Sequence, residues 1–174
     1  MTGLKASCGH PGRRHVLLSL PLLPPVLLAL LTGAGEGAEM GPITPRPTDK
    51  CPVCGMFVTK YPDWVAQAIH RDGAYAVFDG AKDMFKYLLD LRSYAPGRTV
   101  ADIARLYVMD YYALTPIDGK QAWYVFGSDV LGPMGRELIP LAKEGEAREF
   151  LKDHKGKRLL RFVEVTAEVV KGLE

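Results

Sequence analysis

Cys51-Pro52-Val53-Cys54-Gly55-Met56 sets two thiols three residues apart, with a thioether two residues further on. Thiols at i and i+3 grip one ion from a single turn, and Gly55 lets the backbone curl around it. Soft sulfur donors select Cu(I), whereas a closed structural zinc site needs four thiolate or imidazole ligands. The chain has no second cysteine pair, so zinc would require His70 and His154 to converge on the turn. The same spacing also serves thiol–disulfide exchange, with Cys51 attacking and Cys54 resolving. A plain disulfide is the third use of such a pair in an exported protein. The motif follows a Pro-rich stretch instead of a strand opening onto a long helix, which runs against the exchange reading.

A second sulfur stands apart. Met134 lies between Gly132-Pro133 and Gly135, a run that reads as a loop no regular element would contain. It is either a soft ligand offered on a rigid turn or a filler of an irregular gap. Met84 and Met109 fall on regular elements and read as core. His70 ends a strand beside a turn and His154 lies near a helix C-terminus, and either could supply an imidazole. Asp110 sits inside a strand pattern, facing outward or accepting hydrogen bonds in the interior. No paired carboxylates, nucleophile elbow or Gly-rich phosphate loop is apparent, so hydrolase and nucleotide chemistry have no support.

The elements that must position these groups read as α+β. Residues 64–70 alternate as a strand, Arg71-Asp72-Gly73 marks a turn, and residues 74–78 form the partner strand. Asp79 is placed to cap a helix with apolar positions Met84, Phe85, Leu88, Leu89 and Leu91, which Pro96-Gly97 ends. Residues 100–105 read as a short helical turn, 105–114 as a strand, 116–119 as a turn and 121–126 as a strand. A helix over 143–154, a strand over 159–165 and a short terminal helix complete the reading. Asp72-Gly73 leads into AYAVFDG, and Asp118-Gly119 leads through Lys120-Gln121 into AWYVFGS. This echo suggests two strand–strand–helix (ββα) halves with antiparallel pairs.

The N-terminus reads as an address. Residues 16–31 are sixteen apolar-dominated positions behind Arg13-Arg14-His15, followed by the small residues Thr32, Gly33, Ala34 and Gly35. This is the layout of a secretory signal over residues 1–34, with cleavage expected after Ala34. The twin arginines also resemble a twin-arginine signal. The alternative is an uncleaved membrane anchor, but spanning needs about 20 apolar residues and Pro21, Pro24 and Pro25 interrupt the run. Cys8 precedes the apolar run, where a lipidated cysteine would follow it. Residues 35–50, rich in Pro and Gly, read as a flexible tether, leaving residues 51–174 as the working domain.

Composition narrows the classes. The 174 residues are 48% hydrophobic and 24% charged, which excludes a disordered chain. The net charge is +2, but residues 1–34 hold three cations and no acid, so the remainder has 19 basic against 20 acidic residues. No broad basic field is left for nucleic acid. Three cysteines are too few for a disulfide scaffold.

Four stretches together resemble the NosL family: CPVCGM at 51–56, FDGAKDMFKYLLD at 78–90, YVMDY at 107–111 and YVFGSDVLGPMGRELIP at 124–140. The resemblance runs from Cys51 to about Val165. It implies an exported, non-enzymatic copper-binding accessory protein that delivers Cu(I) for assembly of the nitrous oxide reductase copper centre. The expected partners are that reductase or its copper-assembly machinery. It also implies two ββα halves similar to the core of organomercurial lyases; lyase-like activity would follow only by analogy of fold. Cys51 and Cys54 would supply thiolates, Met56 and Met134 thioethers. Many family members carry a lipidated cysteine directly after the signal. This sequence has Thr32 to Ala38 there, so a lipid anchor is not expected.

Overall fold

The computed structural model describes residues 40–174. The expected signal over residues 1–34 lies outside the described residues. Seven strands and four helices follow in the order β1 (Ala66–His70), β2 (Tyr75–Phe78), α1 (Ala81–Leu89), α2 (Leu91–Tyr94), β3 (Ile103–Met109), β4 (Pro116–Asp118), β5 (Trp123–Gly132), β6 (Gly135–Leu141), α3 (Glu144–Asp153), β7 (Arg158–Arg161) and α4 (Ala167–Lys171). Two antiparallel sheets result, ordered β2-β1-β3-β4 and β6-β5-β7. The fold is α+β, and strand–strand–helix occurs twice, as β1-β2-α1 and as β5-β6-α3.

The second unit is not made from the strands that the echo suggested. β3 pairs with β1 in the first sheet, Ala68 opposite Leu106, instead of with β5. Residues 116–119, expected to be a turn, form the short strand β4 and then the turn into β5. The expected loop at 132–135 is a tight hairpin, with Gly132 opposite Gly135 and only Pro133 and Met134 at its tip. Pro116 belongs to the expected turn, and Pro140 is a second proline within a strand. Both lie on the edge strands β4 and β6, where a missing N–H costs no ladder bond on the open side. The last strand stops at Arg161, and Phe162–Glu164 turns as a short 3-10 helix.

β1 reads as half-buried, yet all five residues are buried. Residues 40–50 explain part of this. The Ile43 backbone exchanges two hydrogen bonds with the Gln67 amide, each 2.9 Å, and the Tyr107 hydroxyl donates to the Met40 carbonyl at 2.8 Å. This portion of the expected tether lies against β1 and β3.

The main core joins Val58, Ala66, Phe78, Met84, Phe85, Leu106, Val108, Tyr124, Leu138 and Leu160, drawing on both sheets and α1. A second cluster, Val125, Ile139, Leu141, Ala147 and Phe150, seals α3 onto the smaller sheet. Burial of such side chains contributes about 1.5–3 kcal/mol each. α1 packs against β1 and β2 and also against β6, so its N-terminus lies where the two sheets meet.

Candidate metal centre

The cysteine turn is built by its backbone. The Cys51 N–H donates to the Met56 carbonyl and the Gly55 N–H to the Cys51 carbonyl, both at 2.9 Å. Gly55 adopts φ +79°, which a residue with a side chain rarely holds. The loop therefore closes on itself and directs both sulfurs to one side. Cys51 is buried, Cys54 is partly exposed, and both are free thiols.

They meet two carboxylates. Asp79 follows β2 and Asp83 lies in the first turn of α1, where the helix dipole favours negative charge. The Cys51 thiol donates to Asp83 Oδ2 at 3.3 Å, and the Cys54 thiol donates to Asp79 Oδ1 at 3.1 Å. One donor atom from each of Cys51, Cys54, Asp79 and Asp83 falls within 4.8 Å of the others, a spacing that could hold a metal ion. Asp79 is 1% exposed, and its Oδ2 has no hydrogen-bond partner. Burial pushes the Cys51 thiol well above its ordinary range, against the pull of the Cys54 and Val53 N–H groups. Burial likewise pushes Cys54 up to about 12, opposed by the Met56 N–H and reinforced by the Asp79 carboxylate. Both sulfurs carry their protons at neutral pH.

A cleft of about 470 Å³ opens beside this cluster, lined by Cys54, Asp83, Lys82 and Lys86 on one side and by Met134 and Arg136 on the other. Met134 is 45% exposed at the hairpin tip. Its position is fixed by Lys82, whose ammonium donates to the Met134 carbonyl at 2.9 Å and to the Arg136 carbonyl at 2.7 Å. Glu137 completes the clamp: its Oε1 accepts from the Lys82 N–H at 2.5 Å and from the Leu138 N–H at 2.8 Å. Gly80, the N-cap of α1, leaves the room this needs, since a Cβ there would collide with the Glu137 carboxylate. Burial raises Glu137 to about 8 despite those two N–H donors and Lys82.

The sequence-predicted residues separate here. Cys51 and Cys54 come together, and Met134 joins Cys54 on the cleft. Met56 is half-buried in the closing turn and is not among the residues lining that cleft. Neither histidine joins the cysteines. His70 is buried, with its Nε2 on the Tyr87 hydroxyl at 3.0 Å, and His154 stacks on Phe150 and meets Asp129 at 3.3 Å. Asp110, placed in sequence within a strand, follows β3 as a buried acceptor for the N–H groups of Tyr112, Ala113 and Ala142. The sequence reading missed Asp79 and Asp83 as partners of the thiols. Asp79 reads as a helix cap in the sequence, but the N-cap is Gly80, and the first-turn N–H of Lys82 is served by Glu137 instead. The available signal was their spacing of four residues across a helix start.

The α+β domain thus gathers two thiols and two carboxylates at one helix N-terminus, a donor set that could hold a metal ion, beside a cleft that also exposes a thioether. The NosL family model matches residues 42–170, and the chain belongs to the NosL family. The copper-binding lipoprotein NosL of Stutzerimonas stutzeri is 34% identical over 153 residues, covering 80% of this chain and 76% of that protein. The crystal structure of the copper chaperone NosL from Shewanella denitrificans matches with a TM-score of 0.62 and 26% identity, over 74% of this chain and 97% of that one. The solution structure of apo-NosL from Achromobacter cycloclastes matches with a TM-score of 0.44 and 26% identity, over 60% and 87%.

Proposed function

We propose that the protein is an exported copper chaperone that binds Cu(I) through Cys51 and Cys54. Met134, with Met56 as a further sulfur on the same turn, would supply thioether ligands. The observation that carries this reading is the opening of Cys54, beside the buried Cys51, onto a cleft that Met134 also lines. Two or three soft donors satisfy Cu(I), and a thioether at an open edge permits transfer by ligand exchange. Copper is cargo in this scheme, and no bond of a substrate is made or broken. The family resemblance names the destination: the copper centre of nitrous oxide reductase or the machinery that assembles it. Export by the N-terminal segment agrees with a relative described as a lipoprotein, although in this chain Thr32 to Ala38, without a cysteine, directly follow the apolar run.

Thiol exchange is the second reading, and the thiol environment weighs against it. Redox-active cysteines have a lowered pKa, whereas burial and facing carboxylates raise both of these. Competition of the reduced protein against a chromophoric Cu(I) chelator tests the proposal. One tightly held Cu(I) is expected, lost on oxidation of the pair and transferable to apo-reductase assembly components. Unchanged Cu(I) affinity after complete oxidation would contradict a dithiolate site. Catalytic reduction of insulin disulfides would favour the exchange reading.

A further inference from the structure

We propose that the chain carries a second binding site, an apolar cleft that takes an unbranched fatty acid as a free monomer. It shares no lining residue with the cleft beside the cysteines, so the inference is independent of the copper reading. The cleft holds about 340 Å³. That volume falls within the roughly 300–1,000 Å³ of small-molecule sites. Phe85 and Leu88 reach it from α1, Ile103 and Leu106 from β3, and Phe162 and Val165 from the turn after β7. Strict alternation would put residues 103 and 106 on opposite faces of the strand. β3 avoids this with one extra residue, Ala104: Arg105 pairs with Ile69, and Ile103 with His70. Both apolar side chains are therefore buried at the cleft.

Three observations select the ligand. First, Leu89, Val100 and Val163 line the same cleft and are 47%, 62% and 85% exposed. Apolar side chains gathered around one opening mark a surface that gains by being covered. Second, Lys120 is the sole lining residue with a polar side chain. An extended peptide would leave its N–H and C=O groups unpaired against such walls, a cost that a hydrocarbon chain avoids. A helix, about 10 Å across, would fit less than one turn into that volume. Third, the one polar group is an exposed cation whose backbone is fixed at the cleft. The Gly119 N–H donates to the Leu106 carbonyl at 2.8 Å, and Asp118 accepts from the Lys120 N–H at 2.7 Å. Asp102 and Glu164, the acids flanking the lining, accept from the Thr99 and Arg161 N–H groups at 2.7 Å. Among the described residues no carboxylate pairs with the Lys120 ammonium. An apolar cleft with one free cation matches a hydrocarbon chain that ends in one carboxylate.

Calorimetric titration of the reduced full-length protein with sodium octanoate, decanoate and dodecanoate, each below its micelle concentration, is the test. Affinity should rise by up to about fourfold for each added methylene. Lys120→Glu reverses the charge and should weaken dodecanoate by about tenfold while leaving uncharged dodecanol as in the wild type. Val100→Trp fills the rim and should weaken acid and alcohol alike by about tenfold or more. Both positions are exposed, so both variants should keep the wild-type urea midpoint and Cu(I) affinity.

A wild type that takes up none of the three acids overturns the proposal. So does dodecanoate binding that Val100→Trp leaves unmoved, which would put the chain elsewhere, or that Lys120→Glu leaves unmoved, which would remove the carboxylate from the match. Two other occupants give their own signals. Co-sedimentation with phosphatidylglycerol vesicles, lost in Val163→Asp and without uptake of free acid, would assign the rim to a membrane surface. A dimer in sedimentation velocity, lost in the same variant and undisturbed by dodecanoate, would assign it to a second copy of the chain. Either result overturns the fatty-acid site.

Discussion

Strand–strand–helix occurs twice in this chain, and the two helices begin in opposite surroundings. α1 starts with Ala81, Lys82 and Asp83 all buried, beneath the cysteine turn and the β5–β6 hairpin. α3 starts with Glu144 in solvent, and its charges pair along its own surface: Lys143 with Glu146 at 2.7 Å, Arg148 with Glu144 at 2.5 Å. Neither helix is capped by the side chain of its own N-cap residue. At α3 water can serve the free N–H groups. At α1 the covering elements must bring partners with them, because an unsatisfied polar group in the interior costs about 1–3 kcal/mol. Glu137, brought in on β6, is that partner for the Lys82 N–H. The lesson is that a common order of elements yields a chemical site only where a helix end is roofed over.

The largest effect should come from the roof itself. Cys51→Ser or Cys54→Ser should lower Cu(I) affinity by about a thousandfold or more, or about 4 kcal/mol. Chelator competition reads this directly. The same measurement across pH tests the thiol environment. Both sulfurs are protonated at neutral pH, and copper must displace those protons. Affinity should therefore climb by up to about tenfold per proton for each pH unit, with no plateau until the solution approaches the raised Cys54 value of about 12. A plateau near pH 9 would mean that the thiols are unperturbed.

How much of this was legible follows from sequence distance. The cysteine turn, the first hairpin, α1 and α3 are local, and periodicity with turn residues is enough to read them. β6 was hidden because the residues that lead into it, Gly132 to Gly135, are loop residues by type, and its Pro140 is tolerable only because β6 is an edge strand. The partnership of Lys82 with Glu137 spans 55 positions, and no local pattern announces a contact of that range. Asp79 and Asp83 lay between these cases. Their spacing was visible, but their convergence on the thiols depends on where a separate turn, 25 to 32 residues earlier, is placed.

Loosening the hairpin from α1 should give the next largest effect. Lys82→Met keeps the length of the stem and removes both ammonium bonds, leaving the Met134 and Arg136 carbonyls without that donor. A stability loss of about 1–3 kcal/mol is expected by urea unfolding. If Met134 is a copper ligand, the same change should weaken Cu(I) binding in the wild type and do little more once Met134→Leu is present. Equal losses in both backgrounds would mean that Lys82 matters to the fold and not to the placing of Met134.

Glu137 offers a pH-dependent test of the same roof. Its carboxyl holds a proton up to about 8 in the fold, against an ordinary 4.5. Between those values the folded chain binds one proton more than the unfolded chain, so stability falls as pH rises from about 4.5 to 8. Glu137→Gln keeps a carbonyl acceptor for the Lys82 and Leu138 N–H groups and removes the titration. Urea midpoints at pH 5 and pH 8 should therefore converge in the variant relative to the wild type. Parallel pH slopes would show that Glu137 is ionised throughout.

The smallest effect belongs at the uncovered helix end, where it sharpens the contrast. Glu144 is 45% and Arg148 66% exposed, and they lie four residues apart on α3. Such a pair is worth only about 0.3–0.5 kcal/mol, since water screens the charges and two long side chains must be held in place. Glu144→Gln should shift the urea midpoint by no more than that amount and leave Cu(I) affinity unchanged. High salt should erase even this difference, because the screening length shrinks to about 3 Å at 1 M. A loss of 1 kcal/mol or more would mean that the start of α3 is also held by partners taken out of water, and the distinction drawn between the two helix ends would fail.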